Sequence, residues 1–127
     1  MDIKVFDSEL RVMKILWKHG EMGARDIAHI LKDEVGWNVN TTYTTIRKLI
    51  NKGAVKRHDP KFICIPLISE EQIQKQEARE LSSKLFDGSA SALLSAFLSD
   101  KKIPQSEIDR MKELIDKLDG DDDYEPS

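Results

Sequence analysis

The sequence predicts a mainly α protein in two parts. An N-terminal winged helix-turn-helix domain, with three helices and a two- or three-stranded wing, precedes a C-terminal helical dimerisation domain. Three observations carry this. Three amphipathic runs, each closed by a glycine (Gly20, Gly36, Gly53), fill the first 53 residues. A stretch without helical period follows, with two β-rich runs around Asp59-Pro60. Three further helical runs then end in a heptad spacing.

Helix 1 is read from SELRVMKILWKHG, where Leu10, Met13, Leu16 and Trp17 fall on one side, joined by Val12 and Ile15. Asp7 or Phe6 precedes it, and Gly20 stops it. Helix 2 fits GARDIAHILKDEV, with Ala24, Ile27, Ala28, Ile30 and Leu31 as its apolar stripe and Gly36 as its end. Gly20-Glu21-Met22, between these helices, is the place for a short first strand. Helix 3 is NTTYTTIRKLINKG, with Asn38 or Asn40 as N-cap.

After Gly53 the strands are Val55-Lys56-Arg57 and Phe62-Ile63-Cys64-Ile65, joined through the Asp59-Pro60 turn. Ser69-Glu70-Glu71 caps a helix running to about Phe86, with Ile73, Ala78, Leu81 and Leu85 apolar. Ser89 to Leu98 is a short, unusually apolar helix that includes Leu94 and Phe97. Pro104 opens the last helix, where Ile108, Met111, Ile115 and Leu118 are spaced 3, 4 and 3 apart. The expected domains are 1–68 and 69–118, with 119–127 a disordered acidic tail.

The stripes of the last three helices exceed what a wing domain of this size can cover. Pairing with a second copy through Ile73, Leu81, Leu85, Leu94, Phe97, Ile108, Met111, Ile115 and Leu118 is the expected solution. The competing arrangement is a compact monomer in which these helices fold back on the first domain.

The net charge of -3 averages two unlike halves. Residues 1–68 hold 12 Lys/Arg against 8 Asp/Glu, a local +4, and residues 69–127 hold 8 against 15, a local -7. Within the first half, Arg47, Lys48, Lys52, Lys56, Arg57 and Lys61 face a single acid, Asp59, over residues 38–61. A basic segment inside an acidic chain suits a polyanionic partner, although a solvated basic face has the same composition.

Other chemistry is poorly provided for. One cysteine, Cys64, excludes an intramolecular disulfide and reads as a core residue before a thiol sensor. His19, His29 and His58 lie on three different elements, so no metal or other cofactor is expected. No catalytic grouping stands out, and the chain is read as a non-enzyme. No run approaches the ~18 apolar residues of a membrane span. The start MDIKVFDSEL lacks the pattern of a signal peptide, so a cytoplasmic protein without membrane contact is expected.

The first half of helix 3 bears on function. Thr41, Thr42, Thr44 and Thr45 crowd around Tyr43, although β-branched threonine is a poor helix former, costing up to ~0.7 kcal/mol each relative to Ala. In a helix-turn-helix this end of the recognition helix meets the major groove. Short side chains let the backbone approach, hydroxyls reach phosphates and base edges, and methyls meet the thymine methyl. Asn40, Thr41, Tyr43, Thr44 and Arg47 are therefore assigned to bases, with Arg47 the candidate for bidentate contact to guanine. Lys48, Lys52, Lys56, Arg57 and Lys61 are assigned to phosphates. Thr42 and Thr45 turn toward the fold with Ile46, Leu49 and Ile50. A winged-helix module that binds protein instead of DNA is the alternative.

The segments FDSELRVMKILWKHG, GARDIAHIL, GWNVNTTYTTIRKLINKGAVKR and PLISEEQ resemble the penicillinase-repressor family of BlaI, MecI and CopY. The shared pattern is Trp37, Thr41, Thr44, Leu49, Lys52 and Gly53, and the resemblance spans about residues 5–118. It implies a homodimeric winged-helix repressor on a palindromic DNA operator, with a C-terminal dimerisation domain. In the β-lactam branch it further implies inactivation by a sensor-linked protease that cuts the dimerisation domain. Ala96-Phe97 resembles the cleaved segment, with Ala96 where the family usually has Asn. The copper branch carries paired C-terminal cysteines, which this chain lacks. The wing also departs from the family, with Ile63, Cys64 and Ile65 where tyrosines are usual.

Overall fold

The computed structural model describes residues 2–119. The expected acidic tail lies outside that range except for Asp119, which is the last residue of a helix and not the start of a tail. The elements run α1 (Asp7–His19), β1 (Met22–Gly23), α2 (Ala24–Val35), α3 (Val39–Asn51), β2 (Val55–His58), β3 (Ile63–Pro66), α4 (Glu70–Phe86), α5 (Ala90–Leu98) and α6 (Gln105–Asp119). The chain forms two compact units, the first ending at Ala78 and the second beginning at Arg79.

In the first unit, α1, α2 and α3 enclose one core. An antiparallel sheet of order β1-β3-β2 adjoins it, so the three-stranded form of the wing is the one adopted. Val12, Met13 and Leu16 of α1 meet Ile27 of α2 and Ile46 and Leu49 of α3, all with no exposed surface. Burial of each such side chain is worth about 1.5–3 kcal/mol. Leu10, Trp17 and Ile30, expected in the stripes, are half-buried at the margin. The Trp17 indole N–H donates to the Ile68 carbonyl at 2.9 Å.

The helix ends follow their residues. Asn38 caps α3, its Oδ1 accepting the Asn40 N–H at 2.8 Å. Gly53 then turns the chain out of α3 at φ +81°, a left-handed conformation that favours glycine. In the wing, Val55 pairs with Pro66, Lys56 with Ile65, Arg57 with Cys64 and His58 with Ile63. Successive strand residues point to opposite faces. Arg57 therefore shares the inner face with buried Cys64, whereas Lys56 points outward.

The first unit extends past the expected boundary at 68 because the first turns of α4 dock onto it. Ser69 and Gln72 form a reciprocal cap: Ser69 Oγ accepts the Gln72 N–H at 3.0 Å, and Gln72 Oε1 accepts the Ser69 N–H at 2.8 Å. One turn on, Ile73 enters the core, and buried Gln76 donates through Nε2 to the Ile3 carbonyl at 2.7 Å. This corrects the assignment of Ile73 to a dimer surface: it is 6% exposed and packs with its own first unit.

The second unit is built differently. Ser89 caps α5, its Oγ accepting the Ala92 N–H at 3.1 Å. Leu94 and Met111 are half-buried and share an apolar groove with Ala90, Leu93 and Phe97. No residue of α5 or α6 is buried.

Candidate nucleic-acid interface

Helix α3 sorts its residues by face. Thr42, Thr45, Ile46 and Leu49 are buried, while Asn40, Thr41, Thr44, Arg47 and Lys48 are exposed and Tyr43 is half-buried. Asn40, Thr44 and Arg47, spaced 4 and 3 apart, run along one side of the helix with Tyr43 beside them. The Arg47 guanidinium lies 5.8 Å from the Tyr43 ring centroid. The buried threonines serve the fold. Thr45 Oγ1 donates to the Thr41 carbonyl one turn back at 2.8 Å, which satisfies its largely buried hydroxyl. Thr42 Oγ1 is buried and lacks a hydrogen-bond partner among the described residues.

The basic residues do not form one set. Lys48, Lys56 and Lys61 are exposed, Lys61 in the turn between β2 and β3. Arg57 is exposed too, but on the strand face it shares with Cys64, its Nε donating to Asp59 Oδ1 at 2.8 Å and its guanidinium lying 3.7 Å from the Phe62 ring centroid.

Lys52 departs from its expected role at a phosphate. Its Nζ lies 2.5 Å from Glu9 Oε1, donates to the Lys4 carbonyl at 2.7 Å, and sits 4.4 Å from the Phe6 ring centroid. Glu9, 2% exposed, also accepts the Phe6 N–H at 2.9 Å. Lys52 thus compensates a buried carboxylate and ties the end of α3 to the start of α1. The spacing carried this signal. Glu9 stands three residues before Val12, on the apolar face of α1, and Lys52 stands three after Leu49, on the inward face of α3.

A second feature was not read from the sequence. Arg25, His29 and Lys32 recur at spacings 4 and 3 on the exposed side of α2. With Val39 and Tyr43 they line a cleft of about 230 Å³ beside the start of α3. His29 faces Asp33 at 3.8 Å. The period was visible in the sequence, but only the packing of α2 against α3 brings Arg25 and Lys32 beside Val39 and Tyr43.

Elsewhere, burial pushes the Cys64 thiol up to about 11, with Arg57 opposing, which keeps it protonated at neutral pH. No group of three His, Cys, Asp or Glu side chains among the described residues could hold a metal ion. No helix among them is long and apolar enough to cross a membrane. Leu81, Leu85, Phe97, Ile115 and Leu118 are exposed, and Ile108 is half-buried. Ala96 and Phe97 are exposed near the C-terminal end of α5, inside its helical span.

A winged helix whose α3 buries one face and presents hydroxyls, an amide and cations on the other defines a protein of the helix-turn-helix regulator class. The family model of the penicillinase repressor matches residues 6–117. The chain belongs to that family, which consists of transcriptional repressors and not enzymes. It is 24% identical to the penicillinase repressor of Bacillus licheniformis over 116 residues, covering 90% of this chain and 91% of that one. It is 25% identical to the methicillin resistance regulatory protein MecI of Staphylococcus aureus over 122 residues, covering 92% and 99%. The solution structure of the DNA-binding domain of the repressor BlaI superposes with a TM-score of 0.50 at 32% identity, covering 56% of this chain and 93% of that one.

Proposed function

We propose that this protein is a cytoplasmic, homodimeric DNA-binding repressor that lays the N-terminal half of α3 in the major groove of a palindromic operator. The observation that carries the reading is the division of α3, with Asn40, Thr44 and Arg47 exposed along one side and Thr42, Thr45, Ile46 and Leu49 buried on the other. Asn40, Thr41, Tyr43, Thr44 and Arg47 meet bases, and Lys48, Lys56, Arg57 and Lys61 meet phosphates. Arg25 and Lys32 of α2 join the phosphate set. Lys52 leaves it, since its ammonium is committed to Glu9. Family membership favours this reading over a protein-binding winged helix.

The exposed leucines and isoleucines of the second unit support pairing with a second copy. A sensor-linked protease acting at Ala96-Phe97 would have to unwind the end of α5 first, because both residues lie within its helical span.

The test is duplex binding measured against salt. For roughly 6–10 phosphate contacts per dimer, affinity falls about 10³–10⁵-fold between 50 and 200 mM salt. Binding that ignores salt, or fragments selected from random DNA that share no repeated half-site, would overturn the reading.

A further inference from the structure

Phe62 occupies a place that its residue type does not explain. Its φ is +51°, a left-handed conformation in which an aromatic side chain is a poor choice and glycine or asparagine is usual. Its carbonyl accepts the Ala24 N–H at 2.9 Å, which fixes the backbone of the wing against the start of α2. That bond would form with any residue at this position, so it gives no reason for a ring.

The ring does have neighbours that give one. The Arg57 guanidinium covers it at 3.7 Å from the centroid. Beside its packing against the core, it meets Tyr43 edge to face, at 5.6 Å between centroids and 74° between planes. Tyr43 in turn carries Arg47 at 5.8 Å. The four side chains form a ladder, Arg57, Phe62, Tyr43, Arg47, that runs from wing to α3 with a cation at each end. Asp59 holds Arg57 through Nε, so the terminal nitrogens of that guanidinium are the ones a phosphate oxygen would meet.

We propose that Phe62 is a positioning residue for DNA recognition, holding Arg57 of the wing at a fixed separation from Arg47 of α3. The ladder sets which phosphate the wing engages when Arg47 is in register with its base. It also restricts Arg57 before binding, so less side-chain freedom is lost on contact. This inference rests on the DNA-binding reading above.

The experiment compares the full-length parent with Phe62→Leu, Phe62→Tyr and Arg57→Lys. Affinities are measured for the best fragment selected from random DNA and for an unselected duplex of equal length, across a salt series, with thermal melting of each variant. Phe62→Leu is expected to reduce the preference for the selected fragment about tenfold and to lower the salt slope by about one. Phe62→Tyr restores both. Arg57→Lys keeps the charge but loses the planar stack, and it repeats the Phe62→Leu loss without a change in melting. If Phe62→Leu does not fold, Phe62→Met, which keeps apolar bulk without a ring, takes its place with the same expected losses. Parent-like preference and slope in Phe62→Leu or in Arg57→Lys would overturn the ladder while leaving DNA binding intact. A parent that binds neither duplex would refute the underlying DNA reading, and the ladder's role with it.

Discussion

The two units treat the same kind of side chain in opposite ways, and α4 shows it within one helix. Near its start, Ile73 and Gln76 are buried in the first unit. Two and three turns later, Leu81 and Leu85 are 40% and 63% exposed. The first unit closes its own core with large aliphatic residues from four helices and the sheet. The second leaves Phe97, Leu114, Ile115 and Leu118 in contact with water. Singly exposed apolar residues are normal on a soluble protein, but several on two short helices suit a surface meant to be covered. The difference teaches that the first unit closes its core within one chain, whereas the second leaves large apolar side chains exposed, in keeping with the proposed pairing of two copies.

The contrast is broken most directly at the heptad seam. Ile115→Asp is expected to halve the particle mass in sedimentation or light scattering and to abolish high-affinity binding to a two-half-site fragment. The first unit should stay folded. A parent chain already monomeric at micromolar concentration would show that the exposed seam has some other use.

The next largest effect tests whether the first unit is as self-sufficient as its burial implies. Lys52→Ala leaves the Glu9 carboxylate buried without its cation and is expected to cost about 3 kcal/mol in denaturant unfolding. DNA affinity of the folded fraction should change little. The reverse pattern, with stability kept and the salt slope lowered, would return Lys52 to the phosphate set.

A smaller effect divides the face of α3 from the wing. Arg47→Ala should cost ~1–3 kcal/mol on the selected fragment and relax base preference at one position, whereas Lys56→Ala should weaken all duplexes alike. Equal behaviour of the two would remove the distinction between reading and anchoring residues.

The smallest expected effect is a gain. Thr42→Val replaces a buried hydroxyl without a partner by a methyl group of similar shape, and should raise stability by about 1 kcal/mol in the same unfolding assay. A loss would mean that the hydroxyl is satisfied in solution.

Much of this was legible before any coordinates. The periodicity of 3.6 is enough to place Thr42, Ile46 and Leu49 inward and Thr44 and Arg47 outward, because a helix repeats its faces whatever it packs against. The glycine stops and the Asp59-Pro60 turn similarly marked the three helices and the hairpin. Counting charge along residues 38–61 served less well, since it treats every lysine as a solvent-facing cation. It placed Lys52 with the phosphate contacts although its partner, Glu9, lies 43 residues away in the chain.

The sequence by itself therefore determined the elements, their faces and the presence of a surplus of apolar stripe toward the C-terminus. These follow from local periodicity, caps and turn residues. The tertiary structure alone decided which side chains of different elements meet. It brought Glu9 to Lys52, the first turns of α4 to the N-terminal segment, Arg25 and Lys32 to the start of α3, and Phe62 to Tyr43 and Arg57. Such pairings depend on how helices and strands pack at long range, and no local pattern records them.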